Sequence, residues 1–358
     1  MNYVFFRLCL TTVLALTSVL VAAQTQNKPL TRQEVVSRLF ELPHHPERRD
    51  AIVEEIRNRG IDFPLTSGFR SVVATKSGND ALLRRTLEEA DRRRLNPTAS
   101  TLPPSGEANE LLERTRVATL AAAEAMPDFI VKQLIRRTIA FGKTNNWVPQ
   151  DNLAIAVSYR ANVGEEYKIL SVNGMPLGPD VRESKDYSKY VGGASSSGVE
   201  YISALADLFR DSHTTFKAVD TDLLQNRRTI VFEYEVERRY SKLTLTADRT
   251  RTTDAGSRGR MWIDRESNRV LRFEQIATEI DPNFPITAAS SLIDYDWVQI
   301  GERKFVLPVH SEILLTTVYR GQSQQSRNEI RFRGYQKFGA ELKVIDEIDE
   351  KDFPPEKP

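Results

Sequence analysis

The residues able to do chemistry are few and scattered. The chain has four histidines and one cysteine. His44 and His45 stand together between Pro43 and Pro46, which places them on a turn. Adjacent side chains seldom converge on one ion, and no HExxH or comparable ligand spacing is present. Asp211, Ser212 and His213 are the residue types of a hydrolase triad. Sequence neighbours rarely form one, and there is no GxSxG elbow. His310 falls in a strand pattern and reads as structural. Asp294 and Asp296 lie two apart in IDYDWV, so they share a strand face. Such a pair could act as acid and base or hold a cation. Their alternation with Ile293, Tyr295 and Trp297 is also what a half-exposed strand requires. VGGASSSG, Val191 to Gly198, lacks the lysine and hydroxyl of a phosphate cradle and reads as a lid or a plain loop. No catalytic residue, metal ligand or cofactor is assigned on these grounds.

Charge excludes another class. Basic residues number 50 and acidic residues 49, and the arginine-rich LRRTLEEADRRR interleaves both signs without an aromatic platform. Neither a nucleic acid nor an anionic bilayer finds a single-signed field here.

The segments that would position any site begin with a leader. MNYVFFRLCLTTVLALTSVLVAAQ has Arg7, an apolar run from Leu8 to Val21, and small residues at Val21 and Ala23. This pattern predicts a signal peptide over residues 1–23, with an uncleaved anchor as the alternative. The run is short for a spanning helix, and no later stretch is apolar enough to cross a bilayer. Cys9 lies inside the leader, so the mature chain would hold no thiol and no disulfide. The expected location is periplasmic or otherwise extracytoplasmic.

Residues 30–95 read as a helical module. Thr31 and Glu34 form a capping box ahead of Val35, Val36, Leu39 and Phe40, which follow helical spacing. RRDAIVEEIRNRG ends at Gly60 as a second helix, and NDALLRRTLEEADRRR is a third. GIDFPL between them reads as an apolar plug. Residues 96–110, rich in proline, serine and threonine, read as a linker. ANELLERTRVATLAAAEAM is helical, and DFIVKQLIRRTIAF fits either a helix or a strand. Beyond Trp147 the apolar period becomes two. About nine short strands follow as an antiparallel meander, with Val199 to Phe209 as an inserted helix. Residues 346–358 form a charged, proline-bearing tail.

The order of these elements, with MWIDRESNRVLRFE, DYDWVQIG and KFVLPVHSEI, resembles the periplasmic lipoprotein-carrier (LolA-like) superfamily over residues 111–345. MPDFIVKQLIRR, VFEYEVERR and RNEIRFRGYQKF resemble phrases in a group of exported bacterial proteins, and RNRGIDFPLT a small module found beside other domains in such proteins. The resemblance implies an α+β fold, an incomplete antiparallel β-barrel with covering helices, here preceded by the all-helical module. It implies an apolar concave face that receives acyl chains in the carriers, and protein partners in the sigma-regulator relatives. It supplies no reaction.

Strand parity nominates the lining of that face: Phe232, Tyr234, Met261, Ile263, Leu271, Phe273, Ile330 and Phe332. Two outcomes stay open: a site for a lipid, lipoprotein or other hydrophobic ligand, or a filled core with an envelope protein bound through residues 30–95. In GRMWIDRESNRVLRFEQ, Arg265 to Asn268 make the turn, with Asn268 suited to a left-handed conformation. Trp262 falls on the opposite, more polar face.

Overall fold

The structure, a computed structural model, describes residues 28–78, 80–97, 102–142, 146–161, 163–177, 201–248, 250–339 and Phe353. The expected signal peptide, residues 1–23, the expected loop, residues 191–198, and all of the expected tail, residues 346–358, but Phe353 lie outside the described residues. The chain divides into two compact units, Met1–Ala99 and Ser100–Pro358.

The first unit holds α1 (Arg32–Glu41), α2 (Arg49–Arg59), α3 (Ser67–Lys76) and α4 (Ala81–Leu95). The capping box forms as expected: Glu34 N donates to Thr31 Oγ1 at 3.3 Å and Thr31 N donates to Glu34 at 2.7 Å. The GIDFPL plug is seated by a parallel bridge between Leu30 and Ile61, and Phe63 meets Phe69 edge-on at 4.9 Å. Helix α3 has no counterpart in the apolar pattern of the sequence. Thr66 caps it, but Phe69 and Val73 are its only buried residues, too few for a visible period.

The second unit opens with α5 (Ser105–Glu124) and continues as twelve strands with one helix among them. These are β1 (Phe129–Phe141), β2 (Val148–Arg160), β3 (Gly164–Val172), β4 (Met175–Pro176), α6 (Ile202–Arg210), β5 (Thr215–Leu224), β6 (Arg227–Val236) and β7 (Leu243–Ala247). Then come β8 (Arg251–Asp264), β9 (Val270–Thr278), β10 (Ile286–Ile300), β11 (Arg303–Tyr319) and β12 (Gln322–Lys337). All pair antiparallel in the order β4-β3-β2-β1-β12-β11-β10-β9-β8-β6-β5, with β7 on β8. The sheet is one meander whose last strand returns beside its first, and it is not closed.

DFIVKQLIRRTIAF resolves as strand β1, lying between β2 and β12. Leu134 packs on one face with Ala154 and Phe353, while Phe129, Val131 and Ile135 pack on the other. A strand buried on both faces carries apolar residues at both parities, which blurs the period that separates strand from helix.

Candidate ligand-binding face

One face of the sheet is covered by α5 and α6. Across it runs a continuous row of cross-strand neighbours. From β5 to β3 the row reads Ala218, Phe232, Met261, Phe273, Ile293, Ser311, Ile330, Ile135, Leu153 and Val172. Directly paired residues share a face, so these ten strands present one stripe to the helices. Ser311 is its one polar member.

The stripe belongs to two clusters. On one side, Phe232, Met261, Phe273 and Ile293 pack with Leu205, Leu208 and Phe209 of α6 and with Ala108 and Leu111 of α5. On the other, Ile330, Ile135 and Leu153 pack with Tyr201 and Ile202. Helix α6 therefore spans the seam between them. Its buried residues recur at helical spacing, while Ser203 and Arg210 face outward.

Of the eight residues nominated by parity, seven take this inner face. Phe232, Tyr234, Met261, Ile263 and Phe273 lie in the first cluster, Ile330 and Phe332 in the second. Leu271 does not join them. It packs with Trp262, Val231 and Leu224 on the other face. The cause is a β-bulge: Trp262 pairs with Arg272, but Ile263 pairs with Val270, leaving Leu271 as the extra residue. Beyond the bulge the parity of β9 reverses, and Val270 takes the inner place.

Tyr234 stacks on Phe273 at 5.3 Å, and its ring edge lies over Gly259 on the next strand. A Cβ at Gly259 would overlap the Glu274 carbonyl, so only glycine fits there. Burial pushes the Tyr234 phenol well above its ordinary pKa, and it stays neutral.

The face is shut. Phe232, Met261, Ile263, Phe273 and Ile330 are each at most 2% exposed. The same holds for Ile293 and Ser311.

The other residues singled out for chemistry are engaged in structure. Trp262 lies on the outer face, as parity predicts, yet it is buried, and its indole N–H donates to Asp222 at 3.1 Å. Asp294 and Asp296 are held by different partners. Burial alone would raise the Asp294 pKa, but the Arg272 guanidinium, donating at 2.6 Å, and His310 at 3.5 Å hold it well below the usual carboxylate range. Asp296 accepts from the N–H of Trp297 at 2.7 Å. His213 lies flat on Tyr240 and contacts Asp211 at 3.1 Å. Burial alone would raise the Asp211 pKa, but the bonds from His213 and Thr214 bring it below its ordinary value. Among the described residues no group of three or more His, Cys, Asp or Glu side chains could hold a metal ion.

Parity counting misses most of the face, Phe129, Val131, Ile135, Leu153, Ile155, Ile293 and Leu307 among it. The signal is present in β2, where Leu153, Ile155 and Val157 recur at a period of two. In β1 it is diluted by Leu134 at the opposite parity.

No protein-family profile and no curated protein matches the chain. Solved structures do show likeness. A LolA superfamily protein from Nitrosomonas europaea is similar at 11% identity over 64% of this chain and 97% of its own, with a TM-score of 0.31. A DUF1329 family protein from Desulfovibrio piger is similar at 9% identity over 69% of this chain and 100% of its own, with a TM-score of 0.30. The MucA/MucB complex of Pseudomonas aeruginosa supplies a third, at 8% identity over 63% of this chain and 94% of its own, with a TM-score of 0.18. The superposition scores are low throughout, and none of these likenesses assigns the chain a ligand or an activity.

Proposed function

We propose that this chain is an exported, non-enzymatic binding protein that takes a lipid, acyl chain or other hydrophobic ligand between the inner sheet face and α6. The observation that supports this most is the stripe of nine apolar residues and one serine crossing ten strands, covered at its seam by a single nine-residue helix. The closed arrangement means that a ligand enters as α6 moves away. That exchange is balanced, because α6 is held chiefly by Ile202, Leu205, Leu208 and Phe209. Its polar side pairs Asp207 with Arg210 and Lys242, exposed ion pairs that contribute little. An acyl chain gains about 0.8 kcal/mol per buried methylene and so replaces what those side chains lose. No helix among the described residues is long and apolar enough to cross a membrane.

Titration of the full chain with a fluorescent polyene fatty acid tests this. Saturable binding is expected, with tighter binding when Leu205 and Phe209 are both replaced by alanine. If neither protein shows saturable binding, the reading fails.

The tight interior favours a second reading, a filled core in a protein that recruits an envelope partner through the helical unit. Pull-downs with and without residues 24–95 separate the two. Recovery of the same partners by both removes any recruiting role for that unit.

A further inference from the structure

We infer that Ser311 is the polar contact of the interior, donating its hydroxyl to the carbonyl oxygen of an acyl chain that lies across the seam between the two halves of the face. The inference rests on the hydrophobic-ligand reading of this same face. Its basis is a local misfit. Ser311 is 0% exposed, and its cross-strand neighbours on this face are Ile293 and Ile330. Its Oγ has no hydrogen-bond partner. Complete coverage leaves no water-sized space beside it, so solvent does not satisfy the hydroxyl either. A buried hydroxyl without a partner is destabilising, and a stripe made only for packing would carry alanine or valine at this point.

The position of the misfit points to a ligand. Ser311 sits where the cluster of Phe273 and Ile293 gives way to that of Ile330 and Ile135. Helix α6 crosses the same seam, with Ile202 in one cluster and Leu205, Leu208 and Phe209 in the other. Ser311 thus lies on the stripe that α6 crosses, flanked on both sides by hydrocarbon. The occupant that suits this surface is apolar along its length and carries one hydrogen-bond acceptor. A fatty acid or acyl ester has that pattern, and a plain hydrocarbon does not. Ser311 disfavours the closed, empty state and is matched only in the occupied one.

Three probes of equal chain length test this on the full-length protein: a polyene fatty acid, its methyl ester and the matching polyene hydrocarbon. Wild type is expected to bind the acid and the ester about tenfold more tightly than the hydrocarbon, the yield of one net hydrogen bond. Ser311→Ala is expected to bind all three alike. Its thermal midpoint is expected to equal or exceed that of wild type, so the lost preference is not lost folding. A preference retained by Ser311→Ala overturns the inference, as does a wild type that binds all three equally. Both of those leave the binding reading intact. Absence of binding by every probe overturns both.

Discussion

Gly259 and Tyr234 show how single residues fix the inner face. The glycine lets β8 approach the Glu274 carbonyl of β9, and the Tyr234 ring covers the space its missing side chain leaves. Gly259→Ala is expected to destabilise the β-sheet unit by roughly 2–4 kcal/mol, read as a lower denaturant midpoint. An unchanged midpoint would mean that the backbone is not held so close. Phe273 and Leu271 offer a sharper contrast, since they lie two apart in sequence yet on opposite faces. Phe273→Ala and Leu271→Ala should each cost about 2–5 kcal/mol of stability. Only Phe273→Ala should also change the affinity for a fatty-acid probe. Equal changes in affinity would place Leu271 in the site and contradict the bulge.

At the scale of elements, α1 and α6 carry distinct expectations. The Glu34 carboxylate of α1 is lowered from 4.5 to about 2 by hydrogen bonds from the Thr31 backbone and side chain, with a further contribution from Arg59. A depressed folded pKa means that the box adds stability above the unfolded value and loses it as pH falls from 4.5 towards 2. Glu34→Ala should therefore lower the helical melting temperature at neutral pH, and the gap to wild type should close near pH 2. A gap independent of pH would show that the carboxylate charge is not what holds the cap. For α6, amide hydrogen exchange over Ile202–Arg210 should quicken in the Leu205→Ala, Phe209→Ala double variant while β12 stays protected. Much of this layout is readable from residue order. The capping box at Thr31, the meander, the inserted helix and the Arg265 to Asn268 turn, with Asn268 at φ 54°, all follow from local patterns. What is not readable depends on pairing. The bulge that reverses β9 is set by how Ile263 meets Val270, and the period of β1 is blurred by burial on both of its faces.

The whole molecule has a helical unit and an open sheet whose inner face carries a buried apolar stripe beneath α5 and α6. Charge enters the inner parity at the β1–β2 pair, where Arg137 meets Asp151, while Arg272, Asp294 and His310 form a network on the outer face, and Arg260 with Glu233 another. A stripe of this kind suits the hydrophobic ligand proposed above. Native mass spectrometry of the protein purified from an envelope extract tests the presence of that ligand most directly. The expected result is a species heavier than the bare chain by the mass of a lipid, released on organic extraction and restored by adding a fatty acid. A chain that is bare as purified, and stays bare in excess acyl lipid, would contradict ligand binding and leave the inner face as a filled core.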